Sequence, residues 1–318
     1  MTATRKAQTA PALATVRHGL ARRGLARRLA ASLLLGLATA ACGTAEAPPE
    51  TPPGVTMELS GRANAPLLVV LHGPEGSAAR LRHLAAFRLG AEGWSIAWPD
   101  AGPRGWMYPA IDQAGRLETL INRLAASALV DPERVVVAGF SDGGQLALTL
   151  ACNRPDLLAG AAAVMASLPA GAGCEGGQPV PILMMHSTTD PVLPFAGGAV
   201  SRPAGLPGGI RLASPVMAAD ETAALIAHRN RCGAAREVGI PDLAPDDGTR
   251  AIARVYEGCA APVSQFVIDG GGHAWPGTRL ATGAEAALGT PARDVSATLE
   301  IEAFARESVA QVPDATGG

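Results

Sequence analysis

Short, largely apolar runs recur along this chain with helical stretches between them, and that alternation constrains the fold more than any single motif. The runs fall at residues 67–71, 94–98, 135–138, 160–165, 182–185 and 265–268. The first reads Leu-Leu-Val-Val-Leu, with no polar residue to mark a wet face. A strand that is apolar at every position is covered on both faces, as in a parallel sheet. Residues 79–90, 117–124, 143–152, 217–230 and 294–308 read as helices. This order predicts an α/β fold with a mostly parallel central sheet and helices on both faces. The stretch 197–215, rich in Gly and Pro, is expected to be a surface loop beside the site.

Charge divides the chain sharply. Residues 1–41 hold seven basic side chains and no acid, which leaves 19 of the 26 basic residues against 28 acidic ones, a net charge of −9. A body that acidic has no electrostatic footprint for nucleic acid, and no nucleic-acid partner is expected. The basic segment runs into thirteen apolar or small residues, 29–41, followed by Cys42. A membrane-spanning helix needs about 20. A basic start, a short apolar run and small residues before a cleavage point are the marks of an export signal, here 1–41. Thr39-Ala-Ala-Cys42 is similar to a bacterial lipobox, which would make Cys42 the lipidated N-terminus and a membrane its partner. Thr39 departs from that pattern, where Leu is usual, and cleavage after Ala40 would instead release a secreted protein. The expected location is the cell envelope, with secretion as the alternative. Residues 42–59 read as a Pro-rich tether, 60–310 as the catalytic domain and 311–318 as a tail.

Lipidation of Cys42 would leave Cys152, Cys174, Cys232 and Cys259, an even number in a compartment where disulfides persist. Four cysteines allow three pairings, and spacing alone leaves them open. No Cys-x-x-Cys or His-x-x-x-His spacing occurs, so no metal is expected.

Gly139-Phe-Ser-Asp-Gly143 is a G-x-S-x-G sequence, a weak pattern by itself in a chain with 38 glycines. Its setting adds weight. It follows the apolar run 135–138 and opens the helical stretch 143–152, which is the arrangement of a nucleophile elbow. Ser141 would then stand at the end of a strand, with the Asp142 amide at a helix N-terminus pointing toward an oxyanion. A serine alkoxide does not form unaided near neutral pH, so a base and an orienting acid are required. In α/β-hydrolases they follow in the order acid, then histidine. Three histidines follow Ser141: His186 closes an apolar run, His228 falls in a helical stretch, and His273 sits in a glycine-rich loop after the last run. His273 is therefore the expected base. Asp190, in the loop after residues 182–185, is the expected acid; Asp269 is too close in sequence to His273, and Asp220 falls in a helix.

At this point a resemblance becomes plain. Leu71-His-Gly73, Gly139-Phe-Ser-Asp-Gly-Gly144, Thr189-Asp-Pro-Val-Leu-Pro194 and Gly271-Gly-His-Ala-Trp-Pro-Gly277 together resemble the exported esterases that include poly(3-hydroxyalkanoate) depolymerases and feruloyl or acetylxylan esterases. The likeness spans residues 60–308 and extends to Ala151-Cys-Asn-Arg-Pro-Asp156, Asn230-Arg-Cys232 and Asp294-Val-Ser-Ala-Thr298. It implies an α/β-hydrolase fold, a Ser141–His273–Asp190 triad, no cofactor, and the disulfides Cys152–Cys174 and Cys232–Cys259.

Two departures stand out. The family's second oxyanion donor is a backbone N–H of the loop after His72-Gly73, where this chain has Pro74, which has none. Glu75 or a later amide is expected to substitute. Aromatics are also scarce, with four Trp, two Tyr and five Phe, and only Trp106, Tyr108 and Trp275 are candidates to line a substrate site. Trp275, two residues from the base, could equally be a packing residue that fixes the histidine loop. The expected function is hydrolysis of a carboxylic ester through an acyl-enzyme, on short-chain, hydroxyalkanoate or hydroxycinnamoyl esters. Small-molecule or oligomeric esters are expected rather than solid polymer, because no adsorption module is legible after residue 308. The alternatives are an envelope acyltransferase on the same fold, and a non-catalytic surface-binding lipoprotein that only Pro74 favours.

Overall fold

A computed structural model describes residues 53–313, except 75, 103–104, 107–109, 202–214 and 281–282. The expected signal and Cys42, together with Glu75, Tyr108 and most of the loop 197–215, lie outside the described residues. The strands are β1 (Val55–Glu58), β2 (Ala65–Leu71), β3 (Ser95–Pro99), β4 (Val130–Phe140), β5 (Gly160–Val164), β6 (Ile182–Ser187), β7 (Ala235–Gly239), β8 (Arg250–Tyr256) and β9 (Val263–Asp269). They form one sheet in the order β1-β3-β2-β4-β5-β6-β9-β8-β7. The central strands from β3 to β9 run parallel. Antiparallel partners close both edges, β1 against β3 and then β8 and β7 beyond β9.

Both faces of this sheet are covered, which is why the central strands carry no polar stripe. Along β2, Leu68 and Val70 enter a core shared with α1 (Ala78–Ala85) and α6 (Ala297–Ala310). Leu67, Val69 and Leu71 enter the opposite core, beneath α2 (Ala110–Ala126) and α3 (Asp142–Asn153). Each such side chain contributes ~1.5–3 kcal/mol when removed from water. A third cluster joins α3 and α4 (Ala219–Arg229) to β5 and β6.

The tether expected to reach residue 59 ends earlier, because Val55–Glu58 is an edge strand registered on Pro99–Ile96. The helix expected over 79–90 stops at Ala85, where Ala86 turns into the left-handed region (φ 45°). The last helix begins at Ala297, capped by the Ser296 hydroxyl, three residues later than expected. Two disulfides fasten the loops on the α3–α4 side: Cys152–Cys174 and Cys232–Cys259. Closing loops of 22 and 27 residues, they contribute ~3 kcal/mol each by restricting the unfolded chain.

Topology decides where a site can form. The chain leaves β2 for β3 on one side and returns to β4 on the other. The switch point of this sheet, where a ligand site is expected, therefore lies at the carboxyl ends of β2 and β4.

Candidate active site

The end of β4 is compressed into a turn that few residues tolerate. Ser141 has φ 56° and ψ −123°, a positive-φ conformation that a non-glycine residue holds only where its surroundings enforce it. The surroundings do so through glycine. A Cβ on Gly139 would lie 2.2 Å from the Gly143 oxygen, and one on Gly143 would lie 2.4 Å from the Leu71 oxygen. The Ser141 amide donates to Val164 O (2.9 Å), which ties the turn to β5. The hydroxyl is thus held at the carboxyl edge of the sheet, at the start of α3.

The structure brings three of the expected residues together. Ser141 Oγ lies 2.9 Å from His273 Nε2. His273 Nδ1 lies 2.7 Å from Asp190 Oδ2. An imidazole nitrogen facing a carboxylate carries the proton, so Nδ1–H donates to Asp190 and Nε2 accepts from the serine hydroxyl. The other oxygen of Asp190 accepts the amides of Val192 (2.7 Å) and Leu193 (2.9 Å).

Two loops supply the acid and the base, and they are bound to each other. Thr189 Oγ1 donates to Gly271 O (2.8 Å), and Thr188 Oγ1 donates to Asp269 Oδ1 (2.7 Å). The His273 amide donates to Leu288 O (2.6 Å), at the end of the short helix α5 (Glu285–Leu288). Phe140 sits against the His273 ring, with centroids 5.1 Å apart. The other acids and histidines are engaged elsewhere. Asp269 is exposed and held by Thr188, Asp220 pairs with Arg254 (2.7 Å), and His228 is exposed on α4. His186 is buried in β6 facing Gln265, and burial pushes its pKa down to about 4.

Trp106 and Trp275, the two tryptophans expected at the substrate site, are both buried and bonded. Trp275 is 1% exposed; its indole donates to Thr298 Oγ1 (3.1 Å), and that hydroxyl donates to Ala85 O. Trp106, also 1% exposed, donates to His72 O (2.6 Å) and lies against the His72 ring. They are packing residues, Trp275 beneath the histidine loop and Trp106 against the loop after β2. The Trp275 indole, fully covered and already bonded, cannot form the wall of an open pocket, whereas Trp106 borders a groove beside α2 with Pro99, Gln113 and Leu117.

On the oxyanion side, Asp142 begins α3 and places its amide at the helix N-terminus. The turn after β2 is drawn in by the Gly76 amide, which donates to Gly73 O (3.0 Å) and is thereby occupied. His72 braces the same turn: Nδ1 donates to Gly73 O (2.7 Å) and Nε2 accepts the Ala101 amide (3.1 Å). Burial lowers the His72 pKa, in keeping with this neutral role. One feature of this side is absent from the sequence expectation. The Asp142 carboxyl has a buried Oδ1 with no hydrogen-bond partner. Burial pushes its pKa up to about 7, against the opposing effect of the nearby Gly143, Trp106 and Asp142 amides.

The family described as phospholipase/carboxylesterase matches residues 111–204. A protein named "Putative esterase NocK", of Nocardia uniformis subsp. tsuyamanensis, is 31% identical over 243 residues, covering 71% of this chain and 69% of its own. Feruloyl esterase C of Emericella nidulans is 26% identical over 174 residues, covering 54% of each. The chain thus spans little more than half the length of that relative. Among solved structures, an acetyl xylan esterase from Aspergillus awamori is similar with a TM-score of 0.48 and 11% identity, over 69% of this chain and 88% of that one. The fold is that of an α/β-hydrolase. The chain belongs to the esterase family that includes NocK, a family of carboxylic ester hydrolases.

Proposed function

We propose that this chain is a serine ester hydrolase that works through an acyl-enzyme on Ser141. The observation that carries this reading is the unbroken hydrogen-bonded line Ser141–His273–Asp190 at the carboxyl edge of the sheet. Ser141 attacks the ester carbonyl while His273 Nε2 takes its proton. The Oγ–C bond forms, the carbonyl π bond opens to an oxyanion, and the Asp142 amide donates to it. Collapse of the intermediate expels the alcohol, which receives the proton from His273. Water then repeats the sequence and releases the acid. Asp190 fixes the imidazole tautomer and offsets its charge while it holds the extra proton.

The substrates proposed are short-chain, hydroxyalkanoate or hydroxycinnamoyl esters, the last supported by relatives named feruloyl esterases. The test is to mix enzyme with p-nitrophenyl acetate and quench early. A p-nitrophenol burst, together with a mass increase of one acetyl group on the peptide that holds Ser141, is expected. A fluorophosphonate should label the same serine. Turnover with no labelled serine would overturn the reading. Methyl ferulate measured beside methyl butyrate then orders the two acyl classes by kcat/KM.

We infer further that the protein is exported and that Cys42 is its lipidated N-terminus. Two disulfides support the first part, since such bonds persist in oxidising compartments. The apolar run ending in small residues before Cys42 supports the second. Expression of the full chain in a bacterial host should give a membrane-bound product with a diacylated or triacylated Cys42 by mass spectrometry. A soluble product beginning at Ala41 would refute the anchor.

A further inference from the structure

We propose that the Asp142 carboxyl governs the oxyanion side of this site, which works while that carboxyl is neutral and is inhibited when it ionises. The proposal rests on Ser141 being the nucleophile. Asp142 follows the serine directly, so the amide that would receive the oxyanion and the carboxyl belong to one residue. A negative charge there sits on the same residue whose amide must receive the negative charge that the reaction creates. A carboxylate would also compete for the amides of Asp142 and Gly143, which lie close to it.

The surroundings offer the ionised form little support. From α3, Gln145 is bonded to Ser167 O. From the turn after β2, His72 is committed to Gly73 and Ala101 and is neutral. From the loop after β3, Asp100 accepts the Ala78 amide, and Arg116 of α2 donates to Gln113 and to Asp100 O. From the histidine loop, His273 faces Ser141 and Asp190. Arg104 lies outside the described residues. Among the described residues no cationic side chain bonds to Asp142, and its Oδ1 is buried without a partner. Gly105 leaves its backbone near the carboxyl, since a Cβ there would lie 3.7 Å from Oδ2. Desolvation, with no cation bonded to the carboxyl among the described residues, therefore pushes its pKa up to about 7.

The sign of the effect on stability follows from the same shift. The folded chain holds this proton up to about 7, while the unfolded chain releases it near 3.8. Between those values the folded state binds more protons, so stability falls as pH rises through the window and levels off above it.

The experiment compares wild type with Asp142→Asn, following kcat for p-nitrophenyl acetate and urea unfolding from about pH 4 to about pH 9. Wild-type kcat should decline at the alkaline end with a midpoint near 7. Asp142→Asn should show no such decline and should exceed wild type on the order of tenfold or more at the top of the range. The urea midpoint of the variant should separate from that of wild type as pH rises and then run parallel to it. If the variant fails to fold, Asp142→Ser provides the same comparison. An alkaline decline that persists in the variants, or unfolding midpoints that differ by a constant at every pH, would overturn the proposal. Fluorophosphonate labelling keeps the two failures apart. If Ser141 labels and the decline persists, only this proposal falls; if Ser141 never labels, the serine reading falls with it.

Discussion

Ser141→Ala is expected to lower kcat for p-nitrophenyl acetate by about 10⁶-fold, the size of loss seen when the nucleophile of a catalytic triad is removed. The fold should survive, for a reason visible in the turn itself. The positive φ of Ser141 is enforced by the close approach of Gly139, Gly143 and Leu71. Alanine keeps the same Cβ, so it inherits the same strain and adds none. What is removed is the oxygen 2.9 Å from His273 Nε2, a bond at the edge of the site that supports no other element. Urea midpoints should differ by no more than about 1 kcal/mol of stability, the net worth of one hydrogen bond. A variant that folds and retains more than a tenth of wild-type activity would remove Ser141 from the mechanism. One that loses activity together with its fold would leave Asp190 as the decisive test.

How much of this was legible in the sequence follows from what each residue depends on. The six apolar runs become β2, β3, β4, β5, β6 and β9, because a strand covered on both faces needs no information beyond its own composition. The outer antiparallel strands β1, β7 and β8 are illegible for the opposite reason. In β8 only Ala251 and Ala253 turn inward, between Arg250, Ile252 and Arg254, so its buried face is made of two small residues that carry little strand signal. Ser141, Asp190 and His273 are legible because each follows the carboxyl end of a strand, and the topology collects those ends on one edge. Trp106 and Trp275 mislead because burial is a property of the neighbours. Thr298 and Ala85, which account for the Trp275 indole, come from α6 and α1 and leave no mark near residue 275. The Asp142 carboxyl escapes notice on the same ground. Its dry surroundings are assembled by a loop 36 or so residues upstream, near Gly105 and Trp106.

Asp190→Asn is expected to cost about 10⁴-fold in kcat, far more than the loss of one negative charge near a solvated histidine would imply. The geometry gives the reason. Asp190 Oδ1 accepts two backbone amides, from Val192 and Leu193, and an asparagine can satisfy both only by placing its own oxygen there. Its NH₂ group is then forced onto the side that faces His273 Nδ1, now 2.7 Å from Asp190 Oδ2. An amide donor at that position requires Nδ1 to be the acceptor, which moves the imidazole proton to Nε2. The nitrogen that must take the Ser141 proton already holds one, and the base is lost without any displacement of the chain. Asp269→Asn is the control. That carboxyl is exposed and bonded to Thr188 rather than to His273, so the variant should stay within severalfold of wild type. The tautomer can be read directly by ¹⁵N NMR of the His273 ring, with the proton on Nδ1 in wild type and on Nε2 in Asp190→Asn. A silent Asp190→Asn beside a damaging Asp269→Asn would mean that the acid is Asp269. Activity loss with an unchanged tautomer would mean that Asp190 acts through its charge alone.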